Sequence, residues 1–138
     1  MERFRILAHP ADIGFEAFGS TREEVFANAA RALFHLIVDL DAVEPRGAVE
    51  VMVEGSEPAG LLVNWLSELL YLNDAEGWLF SDFEIERVDD RLLRARALGE
   101  KFDRTRHCAK LQVEAITYHQ LGLERTAEGW QARVYVDI

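Results

Sequence analysis

Hydrophobic residues in this chain repeat at two different periods, and the change from one to the other divides it roughly in half. Phe26, Ala29, Ala30, Leu33, Phe34 and Ile37 recur at helical spacing, as do Leu62, Trp65, Leu66 and Leu69, so two amphipathic helices each lay an apolar stripe on a core. Ser20 and Thr21 each have a glutamate three residues on, Glu23 and Glu24, the capping-box spacing that opens a helix. Pro58 suits the first turn of the second helix and Gly77 its end. The expected helices span 21–38 and 58–75.

From Trp78 onward the alternation is that of strands, over 79–88, 91–98, 110–120, 121–126 and 130 to the last residue, with Asp89-Asp90 and Glu128-Gly129 as turns. Two earlier strands, carrying Phe4, Ile6, Ala8 and Ile13, Phe15, Ala17, flank a turn at His9, Pro10 and Ala11, and a further one carries Val49, Val51 and Val53. At 138 residues and 49% hydrophobic, the chain can close one sizeable core. No repeat or linker interrupts it. The expectation is an α+β fold in a single domain over residues 1–138, with two helices packed on one face of a mainly antiparallel sheet that includes the first and last strands. Phe26 and Trp65 should be buried.

Fifteen Lys and Arg against 25 Asp and Glu give a net charge of −10, which repels a nucleic-acid backbone and favours a protein or metal partner. The exception is the run Lys101, Arg104, Arg106, His107 and Lys110, where a solvated loop takes precedence over an anion or RNA contact. The apolar stretches 25–38 and 61–72 are broken by polar residues and fall short of the roughly 20 needed to span a bilayer, so no membrane contact is expected. The N-terminus enters a strand pattern without a secretory signal, and the expected location is cytoplasmic. One cysteine, Cys108, allows neither an intramolecular disulfide nor a cysteine-rich zinc site; it reads as a packed or idle thiol.

Three places could carry chemistry: the turn with His9 and Asp12, the cluster Thr117, Tyr118 and His119, and the last two residues. Alternation in the final strand puts Trp130, Ala132, Val134 and Val136 on one face and Asp137 on the other, with Ile138 immediately after. Were the first and last strands close, Asp12, Asp137 and the terminal carboxylate could share a hard cation such as calcium or magnesium. On the residues alone, a turn-capping Asp12 and a solvated Asp137 are the simpler readings. Lone histidines at strand ends, His9 and His119, and His35 in the first helix, more often serve local hydrogen bonds. No nucleophile elbow, phosphate-binding glycine loop or paired metal-histidine motif is present.

The segments His9-Pro10-Ala11-Asp12-Ile13-Gly14, Leu61 to Leu72, Thr117-Tyr118-His119 and Val136-Asp137-Ile138 resemble, in order, those of the archease family. The resemblance implies an α+β accessory protein that binds a divalent metal ion, calcium first with magnesium or manganese as alternatives. It implies that the protein activates an RtcB-type RNA ligase in tRNA splicing, promoting the ligase's guanylylation and repeated turnover. GTP is used by that partner ligase, and RNA is met only through it. Asp12 and Asp137 match the family's acidic metal ligands and Ile138 the residue that supplies a backbone oxygen. His9, His119, Arg104 and Arg106 are candidates for support of that site or for partner contact, and no residue is expected to be catalytic. Two departures stand out: Pro10 where the family commonly has Thr, and Glu114 where it commonly has Lys. The alternatives are a general RNA-processing, chaperone-like module and a metal-dependent enzyme whose base could only be His9.

Overall fold

The computed structural model describes residues 2–8 and 12–138. The helix α1 (Arg22–Ile37) starts where the Thr21 hydroxyl accepts from the Glu24 amide at 3.1 Å, with Glu23 and Glu24 at the positive end of the helix dipole. The helix α2 (Pro58–Glu76) has Pro58 in its first turn and is capped by Glu57, whose carboxylate accepts from the amides of Gly60 (2.6 Å) and Ala59 (3.0 Å). It ends at Gly77, left-handed at φ 76°, a conformation that favours glycine. Both helices match their expected spans to within a residue.

The strands, among the described residues, are β1 (Phe4–Ala8), β2 (Ile13–Gly19), β3 (Gly47–Glu54), β4 (Trp78–Val88), β5 (Leu92–Lys101), β6 (Ala115–Ile116), β7 (Gly122–Thr126) and β8 (Gly129–Asp137). All pair antiparallel, as expected, but in two sheets rather than one. One has the order β3-β5-β4. The other runs β1-β2-β8, and the far side of β8 is shared by β7 along its first half and β6 at its end.

Both helices touch both sheets, which corrects the expectation of helices laid on one sheet face. The reason is in α1, where Val25, Ala29, Ala32 and Leu36 are buried as well as Phe26, Ala30, Leu33, Phe34 and Ile37. A helix apolar on nearly every side has to be enclosed. Its one buried amide, Asn28, is satisfied: it donates to the Phe18 carbonyl at 2.7 Å and accepts from Arg31 at 2.7 Å. Phe26 and Trp65 are fully buried, and the Trp65 indole donates to the Phe26 carbonyl at 3.1 Å, tying α2 to α1.

The expected strand 110–120 shrinks to β6. Residues 102–114 form instead an irregular strap, because their amides are spent on the end of α1: Lys110 and Leu111 donate to the Ile37 and Leu36 carbonyls at 2.8 and 3.0 Å, and Lys110 Nζ to the His35 carbonyl at 2.6 Å. The strap finishes at Glu114, whose amide donates to the Asp137 carbonyl at 2.8 Å.

Candidate functional site

The two middle strands of the larger sheet are the second and the last in the chain. Their register ends with Gly14 opposite Tyr135 and Ile13 opposite Val136; Asp12 is the next residue before β2 and Asp137 the next along β8. Ile13 and Val136 face inward, and the flanking residues Asp12 and Asp137 are exposed. Were the ladder carried one step further, their β-carbons would stand roughly 5 Å apart, where like charges repel. Among the described residues neither carboxylate has an ion-pair partner. Ile138, 58% exposed, follows directly. A hard cation with several oxygen ligands suits two carboxylates in this relation, although no cluster of three or more His, Cys, Asp or Glu side chains occurs among the described residues. His9 and Pro10 lie outside the described residues.

Gly14, which closes the first motif, and Tyr135 shape this edge. Gly14 is buried, and a β-carbon there would come within 2.7 Å of the Tyr135 ring and collide with the Val134 carbonyl. Tyr135 therefore lies against the bare backbone of Gly14. His119 meets that ring edge-on, centroids 5.5 Å apart, and Thr117 donates both its amide and its hydroxyl to the Tyr135 carbonyl (3.0 and 2.9 Å). His119 thus stands near the edge, as packing against Tyr135. The signal available in the sequence was the glycine between Ile13 and Phe15, in a strand whose partner carries a tyrosine two residues before Asp137.

Arg104 and Arg106 are not brought to this edge. The expected solvated basic loop is instead organised around Glu100, which is only 6% exposed. Arg106 holds its carboxylate with two bonds (2.6 and 3.2 Å), the Glu44 amide donates at 2.8 Å, and Arg46 approaches to 3.6 Å. His107 is buried; its Nδ1 accepts from the Asp103 amide at 2.9 Å, so the ring is neutral and Nε2–H donates to Glu100 at 3.0 Å. The Arg106 guanidinium, then the Glu44 amide and His107, hold the Glu100 carboxyl down to about 2 against the opposing effect of burial. Arg106 in turn is raised above its ordinary value, first by its bonds to Glu100. Lys101 is also engaged, with the Glu76 carbonyl at 2.7 Å and over the Trp78 ring at 5.0 Å. A basic run looks solvated in sequence when the buried acid that gathers it lies on a neighbouring strand.

The remaining thiol and histidine are structural. Cys108 is exposed and unbridged, idle rather than packed. His35 packs at a tilt against Phe4, centroids 5.2 Å apart, and burial, then the Lys110 charge, lowers its pKa. No helix among the described residues is long and apolar enough to cross a membrane.

Fold and edge define a class: small α+β proteins in which the first hairpin and the last strand bring acidic residues to one end of a sheet. The Archease protein family (MTH1598/TM1083) matches residues 4–138. An archease of Methanosarcina barkeri is 40% identical over 99% of this chain and 97% of its own length, and one of Pyrococcus furiosus 43% identical over the whole of both. The solution structure of protein 1598 of Methanobacterium thermoautotrophicum superposes over the whole of both chains with TM-score 0.86 at 35% identity. The crystal structure of a Thermotoga maritima archease, described as a possible chaperone, shares the fold at TM-score 0.63 and 22% identity, covering 96% of this chain and 94% of that one. The chain belongs to the archease family.

Proposed function

We propose that this protein is an accessory activator of an RtcB-type RNA ligase in tRNA splicing and RNA repair. It promotes the ligase's guanylylation and multiple turnover through a divalent cation held by Asp12, Asp137 and an oxygen of Ile138. The observation that carries this reading is the β2–β8 register, which leads two exposed carboxylates toward one another without a cationic neighbour among the described residues. A cation shared between them offsets their repulsion, and calcium accepts such loosely arranged oxygen ligands more readily than magnesium or manganese. When bound, the cation supplies Lewis acidity and an anchor for phosphate oxygens.

The chain's own residues bind and orient. Asp12 and Asp137 hold charge at the edge, the Gly14–Tyr135 contact fixes the two strands beneath it, and the Glu114 amide keeps the Asp137 carbonyl in place. GTP and bond formation stay with the ligase, and RNA is reached through it. The acidic balance of the chain draws a basic partner. A general RNA-binding module is less well supported. On the outer face of the larger sheet, Arg5 pairs with Glu2 at 2.7 Å and Arg133 with Glu16 at 3.6 Å, so these cations are already engaged.

The test is guanylylation and turnover of the cognate ligase with the parent protein and with a folded Asp12→Ala, Asp137→Ala variant. The parent should stimulate both and the variant neither; equal stimulation would rule the edge out as the working surface. Calcium should also raise the melting temperature of the parent and not of Asp12→Ala, since at metal about a hundredfold above Kd binding to the folded form adds roughly 2.7 kcal/mol.

A further inference from the structure

We propose that the groove between α2 and β6 is a docking surface for a segment of the partner protein that bears arginine or lysine. This rests on the reading above, in which the chain meets its ligase at the Asp12–Asp137 edge, and it extends the contact to a neighbouring surface.

Large apolar side chains left in water are few here, and three of them border β6. Tyr71, 58% exposed, lines the groove together with Ala115 and Ile116; Tyr118, 65% exposed, lies two residues beyond Ile116; Ile138 follows Asp137, the strand partner of Ala115. Scattered exposed hydrophobics need no account, but an exposed aromatic in a concave site with further exposed apolar residues nearby in the chain is the kind of anchor on which protein interfaces centre. The polar rim decides what fits. The charged residues lining the groove are Asp74 and Glu114, with no Lys or Arg, and neither has an ion-pair partner among the described residues. A second copy would bring the same acids against themselves. A guanidinium or ammonium group can instead lie over the Tyr71 ring and between the two carboxylates. Glu114 belongs to both surfaces: it lines the groove, and its amide donates to the Asp137 carbonyl at 2.8 Å. Docking there would seat the partner beside the metal edge.

The experiment measures the affinity of the purified ligase for the parent, for Tyr71→Ala with Tyr118→Ala, and for Asp74→Lys with Glu114→Lys, at low and high salt. All four side chains lie at the surface, and unchanged melting temperatures would show that the variants fold. Each pair should weaken binding about tenfold or more. The charge reversal should also abolish the part of parental affinity lost between about 0.05 and 0.5 M salt. Variants that bind within about twofold of the parent would overturn the groove and leave the metal-edge reading standing, provided Asp137→Ala still fails to stimulate. Weak groove variants beside a fully active Asp137→Ala would support the groove and remove the metal edge. A parent that neither binds nor stimulates the ligase would overturn both. A dimer of the parent lost in the groove variants would make a second copy the occupant and overturn the basic-partner assignment.

Discussion

Glu100 and the pair Asp12 and Asp137 are both carboxylate sites on strand ends, and they are built in opposite ways. Glu100 is buried, and two arginines, a neutral histidine and a backbone amide converge on it. Asp12 and Asp137 are exposed, adjoin the Ile13–Val136 pair, and have no ion-pair partner among the described residues. A buried charge is tolerable only when its lone pairs are taken up inside, so the first arrangement belongs to the fold. In the proposed cation site, surface carboxylates without a cation from their own chain are instead completed from outside. The position of the basic residues follows: the chain spends Arg106, His107 and Arg46 on structure and sends none to the edge.

The strongest contrast is between either site and the core. Leu66→Ala, in a fully buried position on α2, should cost about 2 to 5 kcal/mol in denaturant unfolding. A loss below about 0.5 kcal/mol would remove the packing of that helix against the sheets. Next comes the support of the edge. Gly14→Ala pushes a β-carbon into the Tyr135 ring and the Val134 carbonyl, and overpacking of this kind costs about 1 to 3 kcal/mol. It should also impair stimulation of the ligase more than its stability loss explains, whereas a neutral outcome would show that β2 and β8 shift freely.

Glu100 separates itself by pH. Its folded pKa of about 2 lies below the ordinary value of 4.5, so its ionised form stabilises the native state above about 4.5, and that contribution fades as pH falls toward 2. Glu100→Gln should flatten the acid limb of stability over that interval, followed by denaturation at a series of pH values. An unchanged limb would mean that the hub is not what acid dissolves. The smallest stability effect belongs to Asp137→Ala: within about 0.5 kcal/mol without metal, or slightly stabilising as repulsion is relieved. A large loss in metal-free buffer would make Asp137 a structural residue like Glu100 and erase the contrast.

The helices were legible because their cues are local. Thr21, Pro58 and Gly77 act within one turn, and the stripes at Leu33 and Trp65 repeat over several. Sheet membership was not, since strands 47–54 and 13–19 carry similar alternation and only the all-round apolar character of α1 separates their sheets. The end of the strap, residues 110–114, carries strand alternation because Leu111 and Val113 pack inward, while the amides of Lys110 and Leu111 serve a distant helix end. At the edge, Asp12 and Asp137 were nameable from their strand ends and from family likeness. The hub stayed hidden because Glu100 reads as one more acid in an acidic chain until Arg106 and His107 fold back over it.

The central place of β8 sets an order of events during synthesis. Residues 4–19 leave the ribosome first of this sheet's strands, and the strand that must lie beside them, residues 129–137, leaves last. Until then the β1–β2 hairpin has a bare edge and α1 has one wall missing. Pairing across that length of chain is slow to form and cannot begin early. The β2–β8 pairing therefore forms only in a polypeptide translated through β8, and a product cut short before it would leave an open sheet exposed to degradation.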